Sequence, residues 1–425
     1  MIYLCNKFMV TVIYSFFIFL YQQVIRLAAL FNLKARLLQK GQRQTFDMLR
    51  QKLISGKRYI WVHAASLGEF EQGRPVMERL KQQHPDTGII LTFFSPSGYE
   101  AQKNCTVADI VCYLPVDRRS NAQRFIMMIN PVMAIFIKYE FWANYLQTLH
   151  QKAIPTCLIS AAFRPSQLFF KPYGGWYRKL LHCFTHLFVQ DEPSARLLQS
   201  INIQNITIAG DTRFDRVTAI ADQAKELPLV AAFAHDARTW IAGSSWSADE
   251  KMLIACFNHH PEIKMIIAPH ITDESHVNTI CRQISRPYIR YTQATIETAL
   301  QAECLIIDCI GLLSSIYRYG EMAYIGGGFG AGIHNVLEAA VYGIPVIFGP
   351  NYHKSREASH LIERGGGFSV VNQNEFNTLT AKLLQSHALR REAGNNAREF
   401  VYQQCGATNL IIQNINTLNE TVWDS

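Results

Sequence analysis

MAYIGGGFGAGIHNVLEAAVYGIPVIFGP, residues 322–350, decides how this chain is read. Met322–Ile325 is a short apolar run of the kind that forms a buried strand. Glycines follow at 326, 327, 328, 330 and 332. A helix is expected over His334–Tyr342, closed by Gly343, with Pro345–Phe348 opening the next strand. In such a strand–loop–helix–strand unit, bare backbone N–H groups and a helix N-terminus face whatever lies above the sheet. That arrangement suits phosphate or another anion.

Gly326, Gly328 and Ala331 fit G-x-G-x-x-A, a weak pattern alone. A dinucleotide site also needs an acid near the end of the next strand, and that place reads Gly349-Pro350-Asn351. The phosphate-loop pattern ending in Gly-Lys-Ser/Thr is absent too. The polar groups stand instead at the helix start, as Asn335 and Glu338. Either they form a capping box, or Asn335 lies near a phosphate while Glu338 accepts from ribose hydroxyls.

Outward from this unit, apolar runs alternate with helical patterns such as Phe70–Gln83 and Ser120–Asn130. Runs at Tyr59–His63, Gly88–Phe93, Ile110–Leu114, Val132–Lys138, Ile154–Ile159, His186–Val189 and Ile206–Ala209 predict a first doubly wound parallel sheet. A second series occupies Trp240–Ala242, Ile263–Ala268, Cys304–Asp308, Met322–Ile325, Pro345–Phe348 and Phe368–Val371. Between them Ala219–Arg238, alanine-rich and broken by Pro228, reads as the connection. The fold class is α/β, with two Rossmann-like domains expected to face each other across a cleft. The expected divisions are residues 1–40, a membrane-anchor segment; 41–220, acceptor-binding; 221–400, nucleotide-binding; and 401–425, a C-terminal helix that can cross back to the first domain.

With 425 residues and 49% hydrophobic content, the chain can bury two such domains. Its formal charge of +8 is scattered, which favours an acidic substrate or an anionic membrane surface over nucleic acid. The ten cysteines form no C-x-x-C pair, so no metal or disulfide framework is expected, and no cofactor. Val10–Leu20 is apolar but is interrupted beyond by Gln22, Gln23 and Arg26, and Lys34, Arg36, Lys40 and Arg43 follow. That pattern predicts a single N-terminal membrane anchor, marginal as a full span, with the body of the protein on the cytoplasmic side. The alternative is a helix packed on the first domain.

Charged residues at strand ends supply candidates in the first half. Glu69, in His63-Ala-Ala-Ser-Leu-Gly-Glu69, opens a helix. It is either a catalytic base or an acid complementing the helix dipole, and the helix start should lower its pKa. Glu140 follows an apolar strand, beside Lys138. Arg213 can hold an anion or pair with Asp211 or Asp215. Arg118, Arg119 and Arg124 either meet acceptor phosphates or form a solvated face.

HAASLGE, FFSPSGYE, LPVD, YEFWAN, LISAAFR, VQDE, GDTRFD, GSSW, APH and the GGGFG…HNVLEAA…GP loop occur in the order found in Kdo transferases. The chain resembles that family from its N-terminus to about Arg398. These are inverting GT-B enzymes that move 3-deoxy-D-manno-octulosonic acid (Kdo) from CMP-Kdo to a lipid A precursor, lipid IVA, in lipopolysaccharide synthesis. The resemblance implies the inner membrane for the anchor. It implies Glu69 as general base, with Glu140 and Arg213 stabilising the transition state. It implies CMP contacts at Pro269 and His270, at Ile310, Gly311 and Leu312, and at Asn335, Val336, Leu337 and Glu338. Gly243, Ser244 and Gly328 are candidates for a phosphate loop. Two departures stand out: Arg213 where many members carry Lys, and His270 where Arg is frequent. Other readings are a UDP-sugar transferase or 2-epimerase on the same fold, and a non-catalytic membrane adaptor.

Overall fold

The computed structural model describes residues 2–224 and 226–418, with side chains from residue 13 onward. Residues 1–12 of the expected anchor segment 1–40, and 419–425 of the expected C-terminal helix, lie outside what is described at side-chain level. The chain divides into two compact units, one of residues 1–216 with 405–425 and the other of 217–404.

The first unit is built on seven parallel strands: β1 Tyr59–Ala64, β2 Gly88–Phe93, β3 Ile110–Tyr113, β4 Met133–Ile137, β5 Thr156–Ala161, β6 His186–Val189 and β7 Ile206–Ile208. Their order, β3-β2-β1-β4-β5-β6-β7, reverses direction between β1 and β4. β1, β2, β4 and β5 are buried along their whole length because helices cover both faces, and this is why they read as unbroken apolar runs. Trp61, Phe125, Phe136 and Tyr145 fill one face. The other holds Ile60, Val62, Val76 and Leu80, joined by Ile411, Ile412 and Ile415.

Those three isoleucines belong to the C-terminal helix Ala407–Leu418. Asp215 accepts from the amides of Gly406 and Thr408, both at 2.6 Å, and so anchors the helix start. Asn409 accepts from Arg79, which lies on the helix Leu67–Gln83.

The N-terminus forms α1 (Ile2–Ala28) and α2 (Leu33–Lys52). Among the described residues no helix is long and apolar enough to cross a membrane, so the expected anchor is not found as a span. Gln22, Gln23 and Arg26 interrupt the apolar run before it reaches that length. Instead Tyr14 reaches into the first unit, donating to Asp117 at 2.5 Å and meeting the Trp176 ring at 5.3 Å. Phe16, Phe17, Leu20, Val24 and Leu27 of the same helix are exposed.

The second unit carries β8 Arg238–Ser245, β9 Ile263–Pro269, β10 Tyr288–Arg290, β11 Cys304–Ile306, β12 Met322–Ile325, β13 Val346–Phe348 and β14 Gly367–Ser369. All are parallel, in the order β10-β11-β9-β8-β12-β13-β14. β10 has no counterpart in the sequence reading. The connection also differs from expectation: Pro228 starts the helix Pro228–Ala234 rather than breaking one. Proline fits a first helical position because its missing N–H would have no partner there.

Ile411→Ala should destabilise the first unit by about 2–4 kcal/mol, the usual cost of opening a cavity under a fully buried aliphatic side chain. Urea unfolding followed by Trp fluorescence measures it. A change below about 0.5 kcal/mol, the range of a surface site, would remove the C-terminal helix from that core.

Candidate active site

The direction of the first sheet reverses between β1 and β4, the position at which open α/β sheets bind ligands. Glu69 and Glu140 stand on the segments leaving these two strands. After β1 the chain turns at Ala65 and Ser66 into α3 (Leu67–Gln83). Ser66 Oγ accepts from the Glu69 amide at 3.4 Å. Glu69 Oε2 accepts from the amides of Ala65 at 2.6 Å and Ser66 at 3.2 Å. The capping role is therefore present.

The expected lowering of its pKa is not. Burial first, then the charge of Glu140, push the Glu69 carboxyl up to about 7, against the two amides and His63. A helix start favours the anion, but the loss of water around it outweighs that gain. The carboxylate that caps α3 is thus poised to exchange a proton near neutrality.

Glu140 follows β4 by way of Lys138, a non-glycine residue at φ +67°. Such left-handed backbone is strained and concentrates at functional sites. Glu140 Oε2 accepts from Trp142 Nε1 at 2.7 Å and lies 3.3 Å from His63 Nε2. His63 is fully buried, and its Nδ1 lies 2.8 Å from Thr92 Oγ1. His63 and Trp142 thus fix the Glu140 carboxylate from two sides.

Arg213 pairs with Asp211: Nη2 and Nε reach Oδ2 at 2.7 and 2.9 Å. Asp211 is buried and also accepts from Gln72 and Gln190. Gln72 lies one turn beyond Glu69 on α3, so one helix face carries the base candidate and a contact to the arginine's partner.

In the second unit the sheet reverses between β8 and β12. Gly243 and Ser244 lie in the last three residues of β8, and the loop containing Gly328 follows β12. The loop is tight. A Cβ on Gly328 would stand 2.5 Å from Gly349 Cα, and one on Gly326 would stand 2.2 Å from Ser244 O. Asp249 gathers the surroundings, accepting from the amides of Gly327 and Trp246 and from Tyr324 Oη.

The helix after the loop is one turn, Leu337–Ala340, rather than His334–Tyr342. The His334 amide donates to Gly326 O at 3.1 Å and so still belongs to the loop. Asn335 Oδ1 accepts from the Leu337 amide, while Asn335 Nδ2 donates to Glu338 Oε1 at 3.0 Å. Val336 and Leu337 are buried, so they support this turn from beneath. Pro269 ends β9, and the His270 amide donates to Ser245 O at 2.9 Å. Ile310 is 86% exposed and Gly311 adopts φ +94°, in the loop that leads from β11 to Leu312.

Trp246 and His334 are missing from the sequence-derived site. Trp246 and His270 stack at 4.6 Å, and His270 and His334 at 4.5 Å. Trp246 Nε1 donates to His334 Nε2 at 3.0 Å. Burial, then the neighbouring His270, hold the His334 pKa below the usual imidazole value. The motifs GSSW and HNVLEAA contain both residues, but nothing local marks them as ring partners.

The family described as 3-deoxy-D-manno-octulosonic-acid transferase (kdotransferase) matches residues 33–216, within the first unit. Among curated proteins, the 3-deoxy-D-manno-octulosonic acid transferase of Aquifex aeolicus is 27% identical, over 79% of this chain and 88% of its own length. That of Haemophilus influenzae is 25% identical, over 82% and 84%. Among solved structures, UDP-GlcNAc 2-epimerase from Neisseria meningitidis superposes with a TM-score of 0.59 at 14% identity, covering 84% of this chain and 100% of that one. MurG from Acinetobacter baumannii gives 0.54 at 12%, over 85% and 99%. These two likenesses show the GT-B type of fold alone. The family match lies in the first unit and the curated relatives span both, so the chain is similar to Kdo transferases over 79–82% of its length.

Proposed function

We propose that this chain is an inverting glycosyltransferase that moves Kdo from CMP-Kdo to a phosphorylated, acylated lipid A precursor such as lipid IVA. The observation that carries the reading is Glu69, a carboxyl raised to about 7 by burial and Glu140 at the point where the first sheet reverses. Inversion needs one base on the acceptor hydroxyl, and a group with this pKa is half deprotonated at neutral pH. CMP leaves already carrying its charge, so amide donors of the glycine loop suffice to stabilise it. Trp246, His270 and His334 offer a stacked aromatic wall for a nucleotide base. A formal charge of +8 suits a bisphosphorylated acceptor and an anionic inner-membrane surface. α1 lies on that surface through its exposed phenylalanines, with both units on the cytoplasmic side.

Mass spectrometry of the product formed from CMP-Kdo and lipid IVA tests the reaction. Transfer from a UDP-sugar, or epimerisation of one, would replace this reading with another enzyme of the same fold. Absence of any turnover would favour an adaptor.

Glu69→Gln should lower turnover by about 10²–10⁴-fold, the usual contribution of a general base, and leave CMP binding unchanged. In the wild type kcat/KM should rise with pH through about 7, because only deprotonated Glu69 accepts the proton. Glu140→Gln removes a charge that raises this pKa, so the acid limb should move to lower pH whatever the loss in rate. An acid limb that stays in place would separate Glu140 from Glu69.

Glu338→Ala should weaken CMP binding by about 1–3 kcal/mol, the cost of losing a charged hydrogen-bond acceptor. If Glu338 only steadies the Leu337–Ala340 turn, calorimetry will show a lower melting temperature and unchanged CMP affinity.

Phe16→Ser with Phe17→Ser and Leu20→Ser should release the protein from anionic vesicles. Detergent-based turnover should hold, since all three side chains are exposed. Unchanged vesicle binding would take α1 off the membrane surface.

A further inference from the structure

Beneath α1 lies a cavity of about 280 Å³, walled by α1, α2, the turn at Pro115 and the helix Arg119–Ile129. Arg26, Arg43 and Arg124 line it, and none of its lining residues is acidic. Among the described residues none of the three arginines forms an ion pair. Arg26 donates to the neutral Gln23, and Arg124 lies 4.2 Å over the Phe46 ring. The nearest turn does contain an acid, Asp117, but its carboxylate is committed to Tyr14 and to the amides of Asn144 and Tyr145. Three guanidinium groups on the wall of one cavity, with no carboxylate among its lining residues, make a positive field that favours an anion.

A second observation points to a ligand. Gln22 Oε1 is buried at this wall without a hydrogen-bond partner. A half-turn of its amide presents two N–H donors at the same place, and guanidinium with amide is a donor set for phosphate oxygens. The cavity is too small for a glycolipid but suits a headgroup. On α1 the lining residues Tyr21, Ile25 and Arg26 are direct chain neighbours of the exposed Leu20, Val24 and Leu27, so an amphiphile can bring its phosphate in while its chains stay outside.

We infer that this cavity binds a phosphate monoester carried by an acylated amphiphile, and that the phosphate is that of the acceptor. The second half of the inference rests on the function proposed above. The first half stands on the cavity alone.

The probe is dodecyl phosphate, titrated into the full chain in dodecyl maltoside micelles, which are neutral. The double variant Arg43→Gln/Arg124→Gln should bind it at least tenfold more weakly, with Arg43→Lys/Arg124→Lys recovering most of the loss. Equal binding by wild type and the Gln variant overturns the site. Both positions are exposed, and Arg43→Gln alone serves if the double variant melts early. Kinetics then identify the source of the phosphate. A raised KM for the bisphosphorylated acceptor, with kcat and the CMP-Kdo KM unchanged, supports the acceptor. Unchanged kinetics with lost binding to phosphatidylglycerol vesicles overturns that half and assigns the cavity to bulk lipid. If wild type transfers no Kdo, the proposed function fails, while the dodecyl phosphate titration still decides the cavity.

Discussion

A carboxylate that accepts two backbone amides at a helix start is ordinarily a poor base, because the fixed donors and the helix dipole favour its anion. Glu69 has both donors and is nonetheless raised, because it is buried and shares its surroundings with Glu140. The two tendencies answer different needs. The amides of Ala65 and Ser66 hold the carboxylate in one orientation, as the base role proposed for Glu69 requires. Burial then restores the basicity that the amides remove. His63 and Trp142 keep Glu140 where its charge is felt, and the packing of β1 and β4 keeps both segments in register.

The second unit organises charge with backbone instead of side chains. Tight approach of Gly328 to Gly349 and of Gly326 to Ser244 leaves no space for a Cβ, so the ends of β8 and β12 present main-chain groups at the reversal of the sheet. Asp249 braces this arrangement from beneath through two amides and Tyr324. Its tie to Gly327 limits how far the loop can open. A preorganised loop of this kind suits a leaving group that is already ionic, since little reorganisation is needed as the bond breaks.

The strands are readable in the chain because a sheet covered on both faces demands unbroken apolar runs, and nearly every strand has one. β10 escapes because it is a three-residue edge strand, half exposed, set off only by Pro287. The helix after the glycine loop is overestimated for a different reason. The periodicity of residues 334–342 is helical, but His334 is held by Gly326, a contact across the loop that no periodicity reports. The return of Ala407–Leu418 to the first unit shows in the sequence only as an apolar helix without a destination. Positions of the candidate residues could be read from strand ends, whereas the direction of the Glu69 shift depended first on burial and then on Glu140, on another segment altogether.

The N-terminal helix shows how one sequence pattern serves two surroundings. Its apolar run is too short and too interrupted to span a bilayer, yet it is too apolar to be wholly solvated. Docking resolves half of this: Tyr14 and Tyr21 turn toward the first unit, where Asp117, Trp176 and Phe94 receive them. The phenylalanines remain outside, and the arginines of α1 and α2 gather at the cavity between. Burial raises the Asp117 carboxyl to about 6 even as Tyr14 and the amides of Asn144 and Tyr145 oppose the shift. Apolar residues outward and arginines at the boundary are the ground for the proposal that α1 lies on a membrane surface, since such a helix keeps its cations near phosphate and its rings near acyl chain.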